Sequence, residues 1–369
     1  MALGERLKHA RNSLNLTLSD VEARTQIGVS TLSEFENDRR EPKLVQLKSL
    51  ADLYRRPLSF FLEEGELVPE VVLWRERPTT PRDEELQAQL LTLAEQYHNL
   101  EVWCEDRRDI QLPLDSGDPT HYSYPDAETL AHHVRSNLGL GEQPGQNLLR
   151  ALEEVCKIKI FHLAFEPTGS AASTMSSRFG AAVLLNSKNV RWRRNFDLAH
   201  ELFHLLTWRI FRQSNSGESA EPTAKEEKLA SCFASVLLMP QEAIVAAVNT
   251  ARAGHTKLGF DELFGVARQF DVSIDALLWR MKSVYRIPAD KVCGYIESFR
   301  GQMSFWDDRE RDAPPNRPLR FRALARHALR KGMISAGRYA EYLGISRREA
   351  MQVVEQDAGN NAEVEVAYP

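Results

Sequence analysis

Asn195-Phe-Asp-Leu-Ala-His-Glu-Leu-Phe-His-Leu-Leu206 is the stretch from which the rest of the chain is read. Its apolar residues Phe196, Leu198, Ala199, Leu202, Phe203, Leu205 and Leu206 fall on nearly every side of a helical wheel. The spacing therefore predicts a buried helix over Asn195–Trp208, with Asn195 as its N-cap. Inside it stands His200-Glu201-Leu202-Phe203-His204, an HExxH. Helix positions i and i+4 project from one face, so both imidazoles can reach one Zn2+ while Glu201 serves as general base toward a water. Two histidines and a glutamate in a buried helix need partners, and a metal supplies them.

A catalytic zinc takes a third protein ligand and keeps one position open. No further histidine follows at metzincin spacing, where Trp208 and Arg209 stand. The next helix, predicted over Thr223–Met239 and stopped by Pro240, carries Glu226 and Glu227. Glu227 shares a stripe with Ala230, Ala234 and Leu238 and so points inward; Glu226 sits three residues after Thr223, the capping-box position. This division has Glu226 capping and Glu227 ligating. The alternative is that both are first-turn acids favoured by the helix dipole.

Outward from this pair, strands are predicted at Ile158–Ala164 and Ala181–Asn186, with a Gly/Ser/Thr-rich loop Pro167–Ser177 between them. Helices are expected at Ala127–Leu138, Asn147–Val155, Gln241–Ala253, Phe260–Phe270 and Ser273–Tyr285. Lys291–Phe299 reads as a small strand or loop, and Asp312–Arg320 as a Pro-rich basic linker before two or three last helices. A long helix runs from Glu84 to about Trp103, with Leu86, Leu90, Leu93, Ala94 and Tyr97 as its packing stripe. The segment Val68–Arg82 ahead of it reads as linker and, on exposure alone, as a site where the chain could be cut. The tail from Asp357 has the composition of a disordered segment.

The two helices together resemble the ImmA/IrrE family of metallo-endopeptidases. That family pairs an F-x-LAHE-x-x-H helix with an E-x-x-A-x-x-FA-x-x-LLMP helix, matched here by Glu227, Ala230, Phe233, Ala234 and Leu237-Leu238-Met239-Pro240. The resemblance covers about residues 120–285. It implies a zincin-like fold with His200, His204 and Glu227 as metal ligands, Zn2+ (or Mn2+ in its place) as the cofactor, and Glu201 as the catalytic base. Asp197 is a departure, since the family often has Thr there. Family members cleave DNA-binding repressors of the XRE type or serve prophage, stress-response and toxin–antitoxin regulation. The substrate expected from this is an XRE-type repressor, in trans or in the chain itself.

Residues 1–64 read as five short helices, with Thr17 capping the second and Asp20 as its N3 acid. Thr31-Leu-Ser-Glu-Phe-Glu-Asn-Asp-Arg-Arg-Glu-Pro42 and the following Leu44–Leu53 helix resemble the XRE, lambda-repressor-like helix-turn-helix. The resemblance makes Val29–Glu36 the recognition helix, with Ser30, Ser33 and Glu34 toward base edges and Asn37, Arg39, Arg40 and Lys43 toward phosphates. Two departures are Glu22 where a small residue is usual and Gln26 where the turn glycine is usual. These 64 residues hold 10 Lys and Arg against 10 Asp and Glu, so the phosphate attraction available is small. The alternative use of this fold is protein docking or dimerisation. A second helix-turn-helix pattern spans Ile334–Ser346 and Arg347–Glu355, in the most basic part of the chain: residues 316–350 carry nine Lys and Arg against two acids. It reads either as a solvated basic subdomain or as a nucleic-acid contact.

The whole chain has 369 residues, 43% of them hydrophobic and 27% charged, with a formal charge of −5. These values exclude a disordered chain and a protein that coats nucleic acid non-specifically. Four scattered cysteines without a CxxC pair, no signal-type N-terminus and no long apolar run point to a cytoplasmic protein without membrane contact. The expected class is mainly α, with an α+β protease core and a small sheet. The expected units are residues 1–64 (helix-turn-helix), 65–119 (linker and connecting helix), 120–285 (zinc metallopeptidase), 286–356 (basic helical subdomain) and 357–369 (tail). The expected activity is that of a zinc endopeptidase with a Glu third ligand. The expected partners are a repressor, DNA through the N-terminal helices or the C-terminal basic helices, and a second copy of the chain. The competing reading is a DNA-binding regulator or antitoxin whose zinc is structural.

Overall fold

A computed structural model describes residues 3–12, 16–54, 56, 58–62, 71–75, 83–106, 112, 114–166, 171–176, 178–212, 221–253, 257–309 and 312–359. The first five helices are α1 (Leu3–Asn12), α2 (Leu18–Thr25), α3 (Val29–Glu36), α4 (Leu44–Leu53) and α5 (Leu58–Leu62). Thr17 and Asp20 form the expected reciprocal cap of α2. Leu7, Val21, Leu32, Phe35, Leu47, Leu50 and Tyr54 close a separate small core. Gly4 lets α1 cross α3 closely, since a Cβ there would run into the Phe35 carbonyl oxygen. Gln26 takes the left-handed conformation, φ 60°, that a glycine fills more cheaply.

Strand β1 (Val72–Trp74) follows, then α6 (Asp83–Trp103), α7 (Tyr124–Asn137), α8 (Leu148–Glu154), β2 (Lys159–Leu163), β3 (Ala171–Ser176) and β4 (Gly180–Asn186). The sheet order is β1-β3-β4-β2, with β2 parallel to β4 and the other two pairings antiparallel. Two strands depart from the sequence reading. β1 lies in the segment read as linker, and β3 lies in the segment read as a Gly/Ser/Thr-rich loop. Small polar residues give Ala171–Ser176 no strand pattern, yet Ser173 and Thr174 are fully buried. Small side chains suit a strand that a helix crosses closely on one face. Within Val68–Arg82, read on exposure as a place where the chain could be cut, none of the described residues 71–75 is exposed, and Leu73 is 1% exposed. The remainder of that segment lies outside the described residues.

Next come α9 (Arg191–Leu206), α10 (Trp208–Arg212), α11 (Ala224–Leu238), α12 (Gln241–Arg252), α13 (Phe260–Phe270), α14 (Ile274–Tyr285) and α15 (Ala289–Arg309). α9 begins ahead of the predicted cap. Val190 is its N-cap, and Asn195 instead donates its side-chain amide to Asp271 Oδ2 at 2.6 Å and to the Gly145 carbonyl. α15 replaces the strand or loop expected over Lys291–Phe299; Val292, Ile296, Phe299 and Met303 recur at helical spacing and pack on the main core. One face of the sheet (Ile160, Ala171, Ala181, Val183, Leu185) joins α7, α9, α11 and the helices after them in that core.

The other face of the sheet is covered by α6 and by α16 (Leu319–Arg330), α17 (Ala336–Leu343) and α18 (Arg347–Gly359). Phe161, Leu184, Tyr97, Phe321, Ala325 and Tyr342 share one cluster, so α6 is a layer of the fold and the C-terminal helices pack on the sheet. A buried ionic group ties them down: Lys159 meets Glu101 at 2.9 Å, and Arg320 bridges Glu101 and Asp106. Arg320 is thus engaged internally, and Arg326 pairs with Asp357, so the basic excess of this region is smaller at its surface than in its sequence. Asp357 belongs to the last turn of α18 rather than to a tail; residues 360–369 lie outside the described residues. Among the described residues no single helix is long and apolar enough to cross a membrane.

Candidate metal centre

α9 packs against α11 on one side and β3 on another, and these elements build the site. His200 and His204 stand one turn apart on α9 with ring centroids 5.1 Å apart. Glu227, in the first turn of α11, faces both: its Oε2 is 3.1 Å from His200 Nε2 and its Oε1 is 3.3 Å from His204 Nε2. One donor atom from each of the three lies within 4.8 Å of the others. The histidines are buried, while the Glu227 side chain keeps 29% exposure and marks the open side.

Each imidazole is fixed through its other nitrogen. Glu226 Oε1 lies 2.9 Å from His204 Nδ1 and accepts from Arg212 Nη2 at 2.5 Å. Ser231 Oγ lies 3.4 Å from His200 Nδ1. Both Nε2 atoms therefore point toward Glu227, as metal-binding histidines held by outer partners do. His204 Nε2 and Glu227 Oε1 meet only as an ion pair without hydrogen-bond geometry, and Glu201 Oε1 is buried with no hydrogen bond among the described residues. Orphaned polar atoms that converge are costly unless a further group satisfies them, and two imidazoles with one carboxylate suit a zinc ion. The donor set fits the metal.

Glu226 is where the sequence reading of α11 needs correction. Thr223 Oγ1 does cap the helix, accepting from Glu226 N at 3.2 Å. The Glu226 carboxylate does not return to the cap; it supports His204. A capping pattern and an inward carboxylate are indistinguishable on one helix, and only the position of α9 separates them.

Electrostatics sort the four groups. Burial lowers the His200 pKa to about 4. Burial also opposes charge on His204, but the Glu226 and Glu227 carboxylates outweigh it and raise that pKa to about 9. Burial works against ionised Glu227 too, yet the two imidazoles hold it down at about 2. Glu201, fully buried, is raised to about 7 by desolvation, the range suited to a proton carrier near neutrality. Ser173 Oγ donates to Glu201 Oε2 at 2.5 Å and aims the carboxylate; β3 supplies this residue, which the sequence reading assigns to a loop. A cleft of about 890 Å3 opens beside Glu227, lined also by Tyr124, Ser231, Cys232, Trp279 and Arg280.

The residues expected to meet DNA sit on and after α3. Ser30, Glu34, Asn37, Arg39, Arg40 and Lys43 are exposed or half-buried, and Ser33 is half-buried. Two are occupied locally: Asn37 donates to the Ser33 carbonyl at 2.7 Å, and Arg40 lies 3.6 Å from Glu34. In the C-terminal pattern, Gly344 adopts the left-handed turn between α17 and α18, and Arg347, Arg348 and Gln352 are exposed on α18.

Comparison with known proteins finds counterparts for two parts of the chain. The family model of the IrrE N-terminal-like domain matches residues 153–282, and that of the helix-turn-helix domain matches residues 2–59. The HTH-type transcriptional regulator ImmR of Bacillus subtilis (strain 168) is 34% identical over 67 residues, which are 18% of this chain and 53% of that protein. The match thus spans about half the length of that relative. This chain carries an N-terminal helix-turn-helix domain fused to an IrrE/ImmA-like peptidase domain.

Proposed function

We propose that the chain is a zinc-dependent endopeptidase whose helix-turn-helix domain brings it to DNA or to an XRE-type repressor. The observation that carries this reading is the convergence of His200 Nε2, His204 Nε2 and Glu227, with both Nδ1 atoms already engaged and Glu201 aimed by Ser173. Zinc bound there supplies a Lewis acid and acidifies water toward neutrality. His200, His204 and Glu227 would hold it, and Glu227 lies on the side open to solvent. Glu201 accepts the proton of the attacking water and delivers it to the departing amine nitrogen, which its raised pKa suits. The cleft beside Glu227 leaves room for a peptide.

The second reading, a regulator with structural zinc, accounts for the three ligands but leaves Glu201 without a purpose. A structural site has no use for a fully buried carboxylate with one unpartnered oxygen. The test is metal content and cleavage of candidate XRE-type repressors by the wild type, His200→Ala and Glu201→Gln. Wild-type cleavage with loss in both variants is expected, with zinc lost from His200→Ala and kept by Glu201→Gln. Equal cleavage by Glu201→Gln would overturn the mechanism.

A further inference from the structure

Strand β1 comes from the segment that leads out of the helix-turn-helix domain, yet it forms the edge of the peptidase sheet beside Glu201. Its register sets Leu73 opposite Ser173 and Trp74 opposite Ala172, and Arg75 N donates to the Ala171 carbonyl at 3.2 Å. Cross-strand partners share a face of the pleat. Leu73 therefore lies on the face of Ser173, whose hydroxyl is 2.5 Å from the Glu201 carboxylate. Two residues on, Arg75 turns to the same face. It pairs with the fully buried carboxylate of Asp197, one turn ahead of Glu201 on α9, and lies 5.2 Å over the Phe196 ring.

A peptide to be cut must lie extended with its carbonyl within about 3–3.5 Å of the attacking oxygen. A sheet edge beside the base is the means of holding it, through main-chain pairing. The edge nearest Glu201 is the outer side of β3, and β1 already pairs with it. Strands stand about 4.8 Å apart, so a second chain cannot pair there while β1 remains. Three residues of pairing are little to hold a strand. What retains it is the burial of Leu73 and Trp74 and the ion pair of Arg75 with Asp197, a fully buried carboxylate that also accepts from the Asn189 amide.

We propose that Val72–Arg75 is a resident competitor on the outer edge of β3, the edge an extended peptide substrate would pair with, and that Arg75 latches it there through Asp197. This rests on the peptidase reading of the metal centre and adds the substrate's form and its control. The site takes a peptide in β conformation that offers a cation to Asp197, and it becomes free when β1 departs.

The test uses the full chain purified with zinc and carrying Glu201→Gln, titrated with a fluorescein-labelled peptide of residues 68–79 and read by anisotropy. Adding Arg75→Glu should tighten uptake of the peptide at least about tenfold, and the same peptide carrying Arg75→Ala should bind at least about tenfold more weakly to that freed chain. A disulfide across the paired positions, Val72→Cys with Thr174→Cys, keeps the strap in place. Its oxidised form should refuse the peptide even with Arg75→Glu, and its reduced form should accept it. Amide exchange at residues 72–75 should quicken with Arg75→Glu while α9 stays protected. Equal uptake with the latch intact and broken, uptake by neither chain, or uptake by the oxidised chain each overturns the proposal. Turnover is not read, so the peptidase reading fails separately, through zinc content and the Glu201→Gln comparison.

Discussion

His204 Nδ1 lies 2.9 Å from the Glu226 carboxylate with both side chains 1% exposed, while the other ring nitrogen of His204 faces Glu227. Two consecutive glutamates thus flank one imidazole from opposite sides, Glu227 at Nε2 and Glu226 at Nδ1. Glu226→Gln keeps the shape but removes the charge that orients and strengthens the ligand. It should weaken zinc affinity about 10–100-fold, measured by competition with a chromophoric chelator. Unchanged affinity would mean that the ring is held by packing alone.

Ser173→Ala leaves His200, His204 and Glu227 in place and removes the hydroxyl that aims Glu201. Zinc content and KM should hold while kcat falls, by less than the roughly 10^2–10^4-fold loss expected for Glu201→Gln. Threonine at this position should restore part of the rate. A parallel loss of zinc would show that the hydroxyl supports the centre as a whole.

His162 on β2 gives the fold an acid limit. Burial first, and then the nearby Arg194, lowers its pKa from 6.5 to about 4, so it is neutral in the folded protein. Between those values the unfolded chain binds a proton that the folded chain does not, so stability rises with pH across this window. The contribution is present above about pH 6.5 and is lost as pH falls toward 4, a change of up to about 3 kcal/mol. Urea midpoints of His162→Gln should show a shallower decline across that window than those of the wild type.

Phe321 of α16 meets Tyr97 and Phe161 edge-on with ring centroids at 5.3 and 6.3 Å. Phe321→Ala should cost about 3–5 kcal/mol, and the melting of α16–α18 and of the peptidase sheet should shift together. Two separated transitions, seen by calorimetry, would make the C-terminal helices an independent unit.

For the helix-turn-helix domain, binding to the DNA upstream of its own gene should weaken steeply with salt. Replacing Arg39 or Arg40 by alanine should reduce the slope of log affinity against log salt by about one for each phosphate left unneutralised. Arg40 should contribute less than Arg39, because it is already near Glu34. A mobility shift indifferent to salt and to both substitutions would assign this domain to protein docking.

Local pattern carries the helices that build the site. The apolar surround of His200 and His204, the cap at Thr223 and the inward stripe from Glu227 are properties of single helices, readable from a 3.6-residue period. β3 is illegible in the sequence because Ala171–Ser176 has neither alternation nor bulk; its strand conformation is fixed by pairing with β4 on one side and β1 on the other. β1 is illegible for a similar reason, since three residues in a Pro-rich segment form a strand only when an edge is offered to them. Asn195 reads as a cap because caps are recognised by residue type, and that residue type also serves to bridge two loops from within a helix.

The two domain types, the HExxH helix and the apolar stripe of α11 are written in the amino-acid order alone, since each depends on residues a few positions apart. The support of His204 by Glu226, the aiming of Glu201 by Ser173 and the reach of Arg75 to Asp197 come only from the assembled fold. Those pairs join residues 22, 28 and 122 positions apart. No local preference encodes such separations; they exist because α9, α11 and the sheet bury one another's apolar faces and bring the polar groups along with them.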